Sequence, residues 1–95
     1  MLRNYEVIYI INHNKSDEEA EEIINKFQQI VTTTKGKVET LEKWGRRKLS
    51  FLIKKEGKGN YVYMKISCET KTIEELARNF KLNDSIIRHL VTKVE

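Results

Sequence analysis

The apolar residues of this chain switch between a period of two and a period near 3.6, and the order of the switches leaves few folds open. Tyr5-Glu6-Val7-Ile8-Tyr9-Ile10-Ile11 is rich in β-branched and aromatic residues and predicts a first strand. Ser16-Asp17-Glu18-Glu19 has the pattern of a capping box, in which the Ser16 hydroxyl caps a helix and Glu19 reaches back to it. Three carboxylates in that first turn also suit the positive end of a helix dipole. Behind them Ala20, Ile23, Ile24, Phe27, Ile30 and Val31 recur at helical spacing and form one apolar stripe. The Thr32-Thr33-Thr34 run and Gly36 predict the end of this helix.

A second extended stretch starts at Lys37 and runs through Val38, Leu41 and Trp44. Gly45 interrupts it, but Leu49, Phe51 and Ile53 resume a period of two, so Gly45 reads as a bulge or bend inside one long strand. Residues 55–59 predict a hairpin loop and residues 60–67 a third strand. Thr72 with Glu75 suggests a second capping box, followed by a shorter stripe of Ile73, Leu76, Ala77 and Phe80. Asn83-Asp84 turns the chain, and residues 86–94 close it as a fourth strand.

The order β-α-β-β-α-β, with right-handed crossovers, gives an α+β fold. It is the ferredoxin-like split βαβ, a four-stranded antiparallel sheet with both helices on one face. One apolar stripe per helix is what a two-layer design needs. With 95 residues the chain is expected to be a single domain, residues 1–95, around one thin core.

Two helices cover only one side of such a sheet. Alternation puts Val7, Tyr9 and Ile11 opposite Ile8 and Ile10, and Val62, Met64 and Ile66 opposite Tyr61 and Tyr63. In the last strand it groups Ile87 with Val91, and Ile86 with Leu90. An apolar, tyrosine-bearing surface is therefore expected to face outward, and a contiguous patch of that kind marks a binding site. Its plainer explanation is cross-strand pairing that stiffens a half-wet sheet. Ile8, Ile10, Trp44, Tyr61, Tyr63 and Leu90 are the candidate residues for a protein partner. For Trp44 the alternatives are stacking on a base, or packing over the helices or under that partner.

Charge points to a second kind of partner. The formal net charge is +4, and residues 43–59 hold seven basic residues against the single Glu56, so the remainder is net negative. Basic charge concentrated in one segment suits a polyanion, although a solvated face would show the same composition. Cys68 is the only cysteine, which leaves no internal disulfide and no cysteine-based zinc site, and fits a reducing, cytoplasmic setting. The amino-terminal residues have no signal-peptide core and no run reaches the length of a membrane span. His13 and His89 fall on different elements, as a loop residue and a sheet residue.

Leu41-Glu42-Lys43-Trp44-Gly45-Arg46-Arg47-Lys48-Leu49 and Phe80-Lys81-Leu82-Asn83-Asp84-Ser85-Ile86-Ile87-Arg88 resemble signature segments of the bacterial-type small-subunit ribosomal protein six family. Arg3-Asn4-Tyr5-Glu6 and Asn60-Tyr61-Val62-Tyr63-Met64 match as well, so the resemblance covers essentially the whole chain in register with the fold above. It implies a structural, non-enzymatic protein of the ribosome, bound to the central domain of small-subunit ribosomal RNA. It also implies a protein partner, small-subunit ribosomal protein eighteen. Arg46, Arg47 and Arg88 fall on the family's basic motif positions and Arg3 on its amino-terminal one. Lys43, Lys48 and Lys54 would add less directional attraction for phosphate than these planar guanidinium groups. Where family members often carry Ala-Tyr-Pro-Ile, this chain has Ser50-Phe51-Leu52-Ile53, which restores a backbone donor to the strand. Many members continue into a carboxy-terminal tail, whereas this sequence stops at Glu95, and contacts that depend on such a tail do not carry over with the resemblance.

Two other readings compete. Ile8-Tyr9-Ile10-Ile11-Asn12 and Gly59-Asn60-Tyr61-Val62-Tyr63 partly resemble the strand motifs of the RNA-recognition-motif family, which stacks single-stranded bases on its sheet. The helix stripes, however, require Tyr9 to face inward. Acylphosphatases share the topology but need a glycine-bearing anion loop with an arginine after the first strand, and here that loop is Asn12-His13-Asn14-Lys15. There is no cofactor loop and no nucleophile–base pair, so neither an enzyme nor a cofactor is expected. A regulatory module of the same fold stays open, because fold alone does not set function.

Overall fold

The computed structural model describes residues 2–12, 14–45 and 59–94. Six elements follow in the anticipated order: β1 (Arg3–Asn12), α1 (Asp17–Thr33), β2 (Lys37–Gly45), β3 (Gly59–Cys68), α2 (Thr70–Leu82) and β4 (Ile86–Val94). They form one four-stranded sheet of order β2-β3-β1-β4, antiparallel at every pairing. The continuation of the second strand through residues 49–53, the loop at 55–58 and His13 lie outside the described residues.

The capping box forms as its sequence requires. The Ser16 hydroxyl accepts from the Glu19 amide at 3.2 Å, and the Ser16 amide donates to Glu19 Oε1 at 3.0 Å. A cap of this kind contributes about 1 kcal/mol. At the other end of α1 the left-handed turn falls on Lys35, with φ of 68°, rather than on Gly36. Gly36 is needed for closeness instead: its amide donates to the Val31 carbonyl at 2.7 Å, and a Cβ there would stand 2.9 Å from Cys68 Cβ.

The second capping box does not form. α2 begins earlier, behind Glu69, whose side chain makes no capping bond. Thr72 is thereby turned inward, fully buried, and its hydroxyl donates to Thr34 Oγ1 at 2.8 Å. Threonine at this position ties the start of α2 to the end of α1 rather than capping its own helix.

Between the sheet and the helices lie Tyr5, Val7, Tyr9 and Ile11 of β1, Val62, Met64, Ile66 and Cys68 of β3, Ala20, Ile24, Phe27 and Val31 of α1, and Leu76 and Phe80 of α2. Tyr9, Phe27 and Phe80 meet pairwise with ring centroids 5.2, 5.1 and 4.5 Å apart, so one aromatic from the sheet joins one from each helix. Among the described residues no helix is long and apolar enough to cross a membrane.

The pairing of β1 with β3 runs unbroken from Arg3 opposite Cys68 to Asn12 opposite Gly59. The pairing of β1 with β4 does not. Ile10 faces Arg88 while Ile11 faces Ile86, which leaves Ile87 as an extra residue. A bulge of one residue exchanges the two faces of a strand. Ile86 therefore packs against the core together with Val91, and Ile87 lies on the far side, 3.5 Å from where a Gly59 Cβ would stand. This reverses the assignment of Ile86 and Ile87 made from simple alternation. The register of β2 against β3 shifts between Val38 and Thr40 and again between Lys43 and Gly45, so the irregularity expected at Gly45 falls at Trp44 beside it.

Candidate functional site

Register maps the uncovered face of the sheet row by row. Tyr61, Ile10 and Arg88 form one row, and Glu42, Tyr63, Ile8 and Leu90 the next. Thr40, Lys65, Glu6 and Thr92 follow, then Lys37, Ser67, Asn4 and Val94. Apolar residues thus concentrate in two adjacent rows, and the lower rows are polar apart from Val94.

Within that band the residues differ in what they offer. Leu90 is 45% exposed, and Ile8 and Tyr63 are half-buried. Ile10 and Tyr61 are closed off from solvent at 2% and 0% exposure, so neither is an open contact surface. The Tyr61 hydroxyl finds no hydrogen-bond partner among the described residues.

Trp44 settles on the uncovered side rather than over the helices. Its indole stacks on Tyr63, with ring centroids 5.3 Å apart and planes 5° from parallel, and Nε1 donates to Glu42 Oε1 at 2.7 Å. The Tyr63 hydroxyl donates to Glu6 Oε2 at 2.8 Å, and that bond to a carboxylate pushes the Tyr63 phenol above its ordinary range. The result is an aromatic ledge fixed at both ends by a carboxylate. From the sequence Glu42 stands only as a possible salt-bridge partner of Arg46 or Arg47, which lie outside the described residues, and Glu6 has no assigned role. That they converge on one pair of rings depends on cross-strand register, which no local pattern encodes.

Among the described residues the candidate cations are not brought together. Arg3 and Arg88 are both exposed, but Arg3 opens β1 on the helix side while Arg88 faces Ile10 on the open side. Seven residues of strand separate their levels, on the order of 23 Å. Lys43 points to the helix side and pairs with Glu21 of α1 across a cleft of about 190 Å³ lined also by Asp17 and Asn60. This pair links the sheet to α1 at the surface. Arg46, Arg47, Lys48 and Lys54 lie outside the described residues.

The remaining titratable groups read as structural. His89 stacks on Phe80 with centroids 4.9 Å apart, and burial, helped by the Lys81 charge, lowers its pKa. The Cys68 thiol is buried, and burial pushes it up to about 11, the opposite of what a nucleophile needs.

A two-layer sheet of this order, with helices on one face and an aromatic and aliphatic band on the other, is a ferredoxin-like domain. The family profile described as Ribosomal protein S6 matches residues 4–93, and the chain belongs to that family. A crystal structure of 30S ribosomal protein S6 from Thermotoga maritima matches at 29% identity with a TM-score of 0.86, covering 99% of this chain and 89% of that one. Two further structures share the fold at lower identity. An uncharacterized Thermotoga maritima protein matches at 12% identity and a TM-score of 0.69 over the full length of both chains. The carboxy-terminal domain of the MgtC protein from Mycobacterium tuberculosis matches at 11% and 0.70, covering 99% of this chain and 89% of that domain. Membership makes the chain a structural constituent of the small ribosomal subunit, and its place in the cell is the ribosome.

Proposed function

We propose that the chain binds the central domain of small-subunit ribosomal RNA jointly with small-subunit ribosomal protein eighteen. RNA is held by the basic segment that follows β2, and the protein partner by the open face of the sheet. The observation that carries this division is the band of Leu90, Ile8, Tyr63 and Trp44 on the side of the sheet that no helix covers. Apolar area of that kind gains from a protein neighbour, whereas phosphate needs cations.

On the RNA side Arg46, Arg47, Lys48 and Lys54 carry the attraction, with Arg3 and Arg88 at separate margins. Contacts of this type are salt-sensitive and weakly sequence-specific, so RNA shape and the partner supply the selectivity. Base stacking on the sheet is the less favoured reading, because one face of the Tyr63 ring already carries the Trp44 indole.

The test is binding to a central-domain RNA fragment with and without protein eighteen. Tighter binding by the pair than by either protein alone is the expected result. If neither mixture prefers that fragment over an unrelated structured RNA, the proposal fails. Replacing Arg46 and Arg47 together by alanine should flatten the salt dependence of RNA binding, and an unchanged slope removes those two residues from the account.

A further inference from the structure

β4 is an edge of the sheet, with β1 as its one hydrogen-bonded neighbour among the described residues. An open edge presents a row of backbone donors and acceptors to a second strand, and proteins blunt such edges with bulges, charges or short strands. The two edges of this sheet differ in that respect. β2 is broken twice in register against β3, between Val38 and Thr40 and between Lys43 and Gly45. β4 has its irregularity at Ile87 and then pairs evenly with β1, from Arg88 opposite Ile10 to Val94 opposite Asn4. Along that even stretch Arg88, Leu90, Thr92 and Lys93 are exposed, Leu90 at 45%.

Charge decides how a second β4 can lie beside the first. The strand carries Arg88 and Lys93 and no carboxylate, so an antiparallel pair centred on either cation sets like charges face to face. Centred on Leu90, the pair opposes Arg88 to Thr92, His89 to Val91 and Lys93 to Ile87. That register matches the strand with itself from Ile86 to Val94, sets no cation against another, and brings the exposed leucines together on the axis. Glu6 stands beside Thr92 in its row, so the partner's Arg88 meets a carboxylate one strand further in.

We propose that two copies of this chain join through their β4 edges, antiparallel about a two-fold axis at Leu90, to make one continuous sheet. Such a contact uses the same surface on both copies, so it closes at two chains. It adds backbone hydrogen bonds along the edge and a leucine pair backed by Ile8 in the same row. It runs along the rim of the sheet and does not depend on the RNA and protein contacts proposed above.

The test is sedimentation equilibrium of the full chain, free of RNA and other proteins, over a wide range of concentration. The average mass should rise from one chain towards two and go no higher. Leu90→Lys sets two ammonium groups face to face on the axis and should weaken association at least about tenfold. Because Leu90 is exposed, circular dichroism should show that the variant keeps its fold. Leu90→Cys reads the register. It should link two chains by a disulfide under mild oxidation, since directly opposite residues have Cα atoms about 4.5–5.5 Å apart. Thr92→Cys should not, because the two copies of that position lie four residues apart along the strands, on the order of 13 Å. The wild type, whose Cys68 is buried, is the unlinked control.

A mass of one chain at every concentration overturns the proposal, and growth beyond two chains overturns its closure. Association that Leu90→Lys leaves unchanged, or a disulfide that forms with Thr92→Cys and not with Leu90→Cys, places the contact elsewhere and overturns it as well.

Discussion

Trp44 and Tyr63 lie flat on one another across β2 and β3, and the Tyr63 hydroxyl is bonded to Glu6 of β1. Three strands are thus linked on the side of the sheet that has no helices. Tyr63→Phe retains the stack and removes the bond, so it should cost about 1 kcal/mol in urea unfolding. Trp44→Ala removes the stack and should cost a comparable amount, about 0.5–1.5 kcal/mol beyond lost area. Equal stability of Tyr63→Phe and the wild type would show that the bond to Glu6 contributes nothing net.

A buried hydroxyl makes the opposite prediction. Tyr9 is fully buried among Phe27 and Phe80, and its hydroxyl has no hydrogen-bond partner among the described residues. Burial first, and Glu21 second, raise its pKa above the ordinary tyrosine range. Tyr9→Phe removes an unsatisfied polar atom without opening a cavity, so it should stabilise the protein by about 1 kcal/mol. A lowered melting temperature would reveal a bonding partner for that oxygen.

Gly59 begins β3 opposite Asn12 of β1. A Cβ there would stand 2.5 Å from Ile10 Cγ2 and 2.9 Å from the Ile11 carbonyl oxygen. The carbonyl belongs to the sheet and cannot step aside, so Gly59→Ala should cost about 1–3 kcal/mol. Chemical denaturation gives the number, and hydrogen exchange at Asn12 should accelerate first.

His89 supplies a pH dependence with a definite sign. Burial lowers its pKa in the fold below the ordinary 6.5. The unfolded chain then takes up a proton before the folded one does as pH falls. The stability that neutral His89 contributes is complete above 6.5 and is lost as pH drops through the lower folded value. Imidazole resonances should titrate below 6.5, and His89→Phe should flatten the stability profile in that window. Titration at or above 6.5 would remove the effect.

Much of the architecture was legible because its signals are local. The spacing of Ala20, Ile24, Phe27 and Val31, the Ser16 and Glu19 box, and the alternation of Val7, Tyr9 and Ile11 each describe neighbours within a few residues. The Thr72 and Glu75 pattern was equally local and yet misleading. The helix began earlier, so the threonine faced inward to Thr34.

The sequence by itself determined the order of elements, which residues lined the core from β1, β3 and the two helices, and where basic charge accumulates. Only the tertiary structure decided what the open face presents. The bulge at Ile87 exchanged the faces of Ile86 and Ile87, and strand pairing set Glu6 and Glu42 on one aromatic pair. It also closed Tyr61 and Ile10 away from solvent and turned Lys43 toward Glu21. The reason is that periodicity fixes a side chain's direction only relative to its own strand or helix. Which residues stand opposite it, and whether one inserted residue has reversed its face, are set when strands distant in sequence pair.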